Sequence, residues 1–211
     1  MENFPQFTEP VALARPPGAH RLEAFSPKLG RRLTFYRRAL LDLWLLFEAD
    51  ASVIAFCERP GYVHLGGNAR LADFWVQYVD RQELVLLADA GMDERAAPGK
   101  QELDEAAFSI RSMSSGDLAA ARVWIGNWQR MLPCIVANRG LIPWSLSRSV
   151  ERLLENPQQL ETLERKCSNV DPVLFRAALF GLVHGGRVAA PDLRTQPLSL
   201  HTSFAVVDTN S

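Results

Sequence analysis

The stretch Ala39-Leu40-Leu41-Asp42-Leu43-Trp44-Leu45-Leu46-Phe47 constrains the fold more than any other part of the chain. It is apolar nearly all round, so a helix built on it must be buried rather than laid on a surface. The pattern predicts a helix over Leu33 to Phe47 with Thr34 as N-cap, then a connection from Val53 to Pro60. Three strand-type runs follow, Gly61 to Leu65, Ala69 to Val79 and Glu83 to Ala88. Turn signals at Gly66-Gly67-Asn68 and Asp80-Arg81-Gln82 separate them. The middle run carries Leu71, Phe74, Trp75, Val76 and Tyr78 on both faces, which marks an inner strand. Trp44 and Trp75 are therefore expected between helix and sheet, with Asp73 unusually deep. Asp42 needs a partner among its apolar neighbours. Arg38, one helical turn earlier, supplies an ion pair.

The flanking segments read differently. Residues 1–30 hold Pro5, Pro10, Pro16, Pro17 and Pro27 and suit an extended arm lying on a partner or on the core. Residues 91–100 form a polar loop, Gln101 to Ser109 fits a short strand or a helix, and residues 111–116 resemble a linker. Residues 117–137 form an amphipathic helix that Pro133 should bend or end. Further on come a helix stopping before Pro157, a second over Gln158 to Cys167, and a third capped by Asp171-Pro172 and closed by Gly185-Gly186. Strands over Val188 to Leu193 and Leu198 to Val207 complete the order of a winged helix-turn-helix. The third helix offers only Arg176 and His184 as donors, so protein contact or core packing suits it better than base reading. The expected domains are an arm at 1–30, an α/β domain at 31–112 and a helical, winged-helix-like domain at 116–211.

Composition narrows the setting. No apolar run reaches the roughly 18 residues of a membrane helix, and the first residues lack the pattern of a secretion signal. Cys57, Cys134 and Cys167 are odd in number and widely spaced, which fits reduced thiols. His20, His64, His184 and His201 form no ligand pair at helical spacing. A cytoplasmic protein without a metal site is expected. The formal charge of −1 is unevenly spread: residues 1–38 hold seven Lys/Arg against three acids. Lys28, Arg31, Arg32, Arg37 and Arg38 face no acid nearby in sequence and are the candidate DNA-binding residues, since clustered cations contact phosphates. None sits in the apolar run, so reversing Arg31, Arg32 and Arg37 should leave the fold intact.

The segments LTFYRRALLDLWLLFEADASVIAFCERP, ARLADFWVQYV and ELVLLAD resemble the TnsA family, the endonuclease subunit of heteromeric bacterial transposases. Glu48-x-Asp50, Val53, Arg59-Pro60 and Asp73-Phe74 fall at matching positions over roughly residues 25–90. The resemblance implies a restriction-endonuclease-like mixed sheet with flanking helices, followed by a helical or winged-helix domain. It also implies carboxylates on Mg²⁺, a hard cation that activates water and stabilises the departing oxygen, and a Lys beside the phosphate. The sequence departs from that set. Leu40 stands where the family has its helix Glu, and Asp42 is two residues off. Ala72 replaces the Pro before Asp73, and the third strand lacks both its acid and its Lys. Asp89 ends that strand.

No catalytic residue is therefore expected, with Asp73, Asp42 and Asp89 as remnants. The primary expectation is a non-catalytic TnsA-like protein that binds DNA, largely independently of sequence, or assembles with transposition partners. Homo-oligomerisation stays open, and no cofactor is expected. The alternatives are a divergent endonuclease using Mg²⁺ on those three aspartates, and a winged-helix regulator or assembly factor without nuclease ancestry.

Overall fold

Leu22–Ser26 (β1) lies in the expected arm, and Arg31–Phe35 (β2) shows strand-type burial where the sequence suggested helix from Leu33 onward. Leu33 and Phe35 point into the core and Arg32 points out. The two strands pair antiparallel, and Gly30 takes a φ of 64° in the turn between them. The computed structural model describes residues 7–65, 68–88, 103 and 108–207. The helix thus begins at Arg38 rather than Leu33, because strand pairing uses Leu33 and Phe35; it runs Arg38–Ala49 (α1). Thr34 lies in β2 and caps nothing at the helix start. The extended arm likewise contains β1, and its earlier part packs on the core. Phe7 meets the Trp75 ring edge-on at 5.3 Å, and Val11 N–H donates to Arg59 O.

The predicted connection holds Ala55–Glu58 (β3). Tyr62–Leu65 (β4) and Asn68–Leu71 (β5) form a hairpin. The long middle run breaks at Ala72-Asp73, so that Phe74–Gln77 (β6) is a separate strand. Gln82–Leu87 (β7) follows, and Ser109–Met113 (β8) takes up the first half of the expected linker. The resulting sheet has the order β3-β6-β7-β8. Its first three strands are antiparallel and β8 runs parallel to β7, making a mixed sheet. The loop expected over residues 91–100 lies outside the described residues.

Both faces of this sheet are covered. On the α1 face, Phe47 packs edge-on against Phe74 at 5.2 Å and Phe35 lies 6.0 Å from Trp44. Trp75 points to the opposite face, beside Cys57, Val63, Ala72, Leu84 and Leu103. Strand alternation forces this, since its neighbours Phe74 and Val76 cannot share its side. Trp44 and Trp75 are both buried, but only Trp44 lies on the helix side.

The chain divides into two compact units, residues 1–47 with 52–119, and residues 48–51 with 120–211. The single helix expected at 117–137 is broken at Ala121 into Ser115–Ala120 (α2) and Arg122–Ala137 (α3). Pro133 sits inside α3 without ending it. In the second unit, Trp144–Leu153 (α4), Leu160–Lys166 (α5) and Pro172–His184 (α6) follow. Asp171 caps α6 by accepting from Val173 N and Leu174 N. Gln158–Gln159 (β9), Val188–Ala189 (β10) and Ser203–Val206 (β11) form an antiparallel sheet of order β10-β11-β9.

The two C-terminal strands are shorter than the sequence suggested because Pro191–Arg194 forms a 3-10 turn. Buried Asn127 holds the chain there, donating to Leu193 O and Gln196 O and accepting from Leu198 N. Seven of the thirteen residues of α6 are buried, which makes it a core helix. No described helix is long and apolar enough to cross a membrane.

Candidate functional site

The chemistry-bearing residues of the first unit collect where β3 ends and β6 begins. Glu58 closes β3 with its carboxylate almost fully buried. A buried carboxylate requires a cation or several donors, and Arg31 provides a two-pronged pair at 2.8 and 2.6 Å. Arg59 follows with a φ of 51°. It donates from Nε to Val11 O and from Nη1 to Thr34 O, and its Nη2 stands 4.0 Å from Glu58. Arg59 N–H donates to Asp73 O, bringing the second acid alongside.

Asp73 sits where β6 has not yet started, so the last amide of β7 has no strand partner. The Asp73 carboxylate takes its place: Oδ2 accepts from Leu87 N at 2.8 Å. Oδ1 accepts from Arg37 Nη2 at 2.9 Å, and Arg70 Nη2 lies 3.8 Å from Oδ2 while donating to Leu87 O. Burial raises the Asp73 carboxyl above the ordinary aspartate range. The Leu87 amide, Arg37 and Arg70 all oppose that rise. Glu83, at the start of β7, repeats the pattern, with Arg81 at 2.8 Å and Arg111 at 3.8 Å. Each of the three buried acids of this sheet thus lies between two arginines.

The basic segment supplies much of that clasp. Arg31 holds Glu58, Arg37 holds Asp73, and Lys28 donates to Val53 O at 2.9 Å. Arg38 pairs with Asp42 at 2.9 Å, as the helical spacing suggested. Arg32 is exposed and forms no ion pair with any described residue. Of the remnant acids, Asp73 is in the clasp, Asp42 is held by Arg38, and Asp89 lies outside the described residues.

The reading from sequence missed Glu58 and Arg70, and gave Arg59 a place in the resemblance but no role at a site. A usable signal was present: Arg70 precedes Asp73 by three residues, and Glu58 is an acid directly after the run Ala55-Phe56-Cys57. In the second unit, Glu48 of the Glu48-x-Asp50 match is fully buried and meets His184 Nε2 at 2.8 Å, beside the Trp128 ring.

These residues do not fit a Mg²⁺ ion. Both Asp73 oxygens already face N–H donors, and β7 presents buried Leu84, Val85, Leu86 and Leu87 where oxygen ligands are needed. Leu40, half-buried on α1, adds no ligand. Among the described residues no three His, Cys, Asp or Glu side chains converge as a metal site. No protein-family model matches the sequence, and no curated protein matches it.

Proposed function

We propose that the chain is a non-catalytic relative of the TnsA endonucleases, acting as a DNA-binding or assembly protein with the recombination partners of a mobile element. In this reading the first unit is a restriction-endonuclease-like domain and the second a winged helix-turn-helix. The observation that carries it is the clasp on Asp73. The one family acid retained in the strand now balances guanidinium groups and a backbone amide, in a site without further oxygen ligands. The winged assignment rests on three helices, a short strand after the first of them and two after the last, in a sheet whose last strand lies between the other two. Because α6 is a core helix, sequence-independent backbone contact fits better than base reading.

The test is incubation of purified protein with supercoiled plasmid and Mg²⁺ or Mn²⁺. The plasmid should stay supercoiled yet be retarded in a low-salt gel. Nicking that requires the metal and is lost in Asp73→Asn overturns the non-catalytic reading. Absence of retardation overturns DNA binding.

A further inference from the structure

The outer face of α4 in the second unit has a chemistry that neither the clasp nor the winged arrangement uses. Trp144, Ser145, Arg148, Ser149 and Arg152 are all exposed, while Val150 is buried. Trp144, Arg148 and Arg152 recur at four-residue intervals and therefore form one stripe along the helix. Trp144 is 67% exposed, an unusual state for the largest apolar side chain. The Arg148 guanidinium covers one face of its ring at 4.6 Å, and the extent of exposure leaves the opposite face open. Arg148 and Arg152 form no ion pair with any described residue. The only acid of α4, Glu151, is engaged by Arg187 at 2.6 Å. The stripe therefore carries uncompensated positive charge beside an open aromatic face.

We infer that this face binds a single-stranded stretch of nucleic acid, with one base stacked on Trp144 and consecutive phosphates on Arg148 and Arg152. Stacking requires an open aromatic face, and Trp144 has one already stiffened by a guanidinium behind it. The two arginines are one helical turn apart, a rise of about 6 Å, comparable to the separation of neighbouring phosphates in a strand. An acidic peptide would satisfy the arginines but make no use of the indole face. A duplex would bury no base on it. The inference extends the proposed DNA-binding role to a particular partner and a second surface.

Trp144 also reports on itself, because the other four tryptophans are buried or half-buried. The experiment measures anisotropy of a labelled single-stranded oligothymidine with the full chain, together with iodide quenching of tryptophan fluorescence. The parent should bind, and binding should protect the iodide-accessible fraction. Trp144→Ala should weaken binding about tenfold. The Arg148→Ala/Arg152→Ala double variant should flatten the salt dependence by about 1.4, at roughly 0.7 per single-strand phosphate contact. Both variants should keep the parent's urea midpoint, since all three positions are exposed.

Unchanged oligothymidine binding in both variants, or binding without protection from iodide, overturns the inference and leaves the DNA-binding role of the first unit standing. A parent that retards duplex but ignores oligothymidine does the same. A parent that binds neither overturns both readings. If the variants alter only the sedimentation of the protein, the stripe is a self-association surface and the inference fails.

Discussion

Arg31 and Arg32 are adjacent and chemically identical, yet β2 directs them to opposite sides of the strand. Arg31 closes on the buried Glu58 carboxylate, and Arg32 extends into solvent. Removing Arg31 strands a buried charge, so Arg31→Ala should cost about 3–5 kcal/mol. Arg32→Ala should stay within about 0.5 kcal/mol of the parent. Urea denaturation of the two variants side by side checks this, and equal midpoints would contradict the clasp. The expectation that Arg31, Arg32 and Arg37 can all be reversed without harm therefore does not suit this structure. Arg32 is the residue to reverse when testing DNA contact on this unit. Beside the clasp, burial foremost and the Glu58 charge next push the Cys57 thiol up to about 12, against the pull of Arg31 and Arg59. Almost no Cys57 thiolate exists at pH 8, so a disulfide reagent at that pH should label half-buried Cys134 first. Cys57 should react only when denaturant unfolds the chain. Rapid labelling of Cys57 in the native protein would place it outside the core.

Elements with strong local signals were legible in the sequence, and those defined by distant partners were not. The end of α6 is of the first kind. Gly186 takes a φ of 71°, its N–H donates to Val183 O, and Arg187 N–H donates to Leu182 O, the paired bonds that close a helix on a left-handed residue. A Cβ at Gly186 would stand 2.6 Å from Ala51 Cβ, whereas one at Gly185 would meet Gly181 O at 3.4 Å. Gly186→Ala should thus cost about 1–3 kcal/mol from backbone strain and crowding, and Gly185→Ala distinctly less. Melting temperatures of the two variants should differ in that order, and the reverse order would refute the closure. The beginning of α1 is of the second kind. Leu33 and Phe35 fit an apolar helix as well as a strand, and only pairing with Leu22–Ser26 decides between them. The break at Ala72-Asp73 was hidden for the same reason, because it depends on an amide contributed from β7. Asp73 was recognised as buried, and Arg70 lies only three residues before it, but Arg37 comes from before α1, beyond any local pattern.

At the scale of the whole molecule, the 23 basic and 24 acidic residues nearly cancel, and many of the arginines are engaged by carboxylates. A dense run of arginines in the sequence therefore overstates the positive charge available to a polyanion. Of the four arginines in the segment at residues 28–38, Arg32 alone projects without an ion pair to a described residue, and the α4 face adds Arg148 and Arg152. Each neutralised phosphate contributes roughly −0.7 to −0.9 to the slope of log affinity against log salt. If these three cations are the phosphate contacts, the slope should lie near −1 to −3, far from the steep dependence that five free cations on the basic segment alone would give. The measurement is a fluorescence titration of the full chain with labelled DNA over a salt series, repeated with Arg32→Ala. That variant should flatten the slope by roughly one contact's share and lower affinity alike for unrelated sequences, because phosphate contacts carry no sequence information. A parent slope steeper than about −5 that Arg37→Ala flattens would mean that Arg37 leaves Asp73 for phosphate. In that event the clasp would be a lock that nucleic acid opens, and Arg37→Ala would remove more slope than Arg32→Ala does.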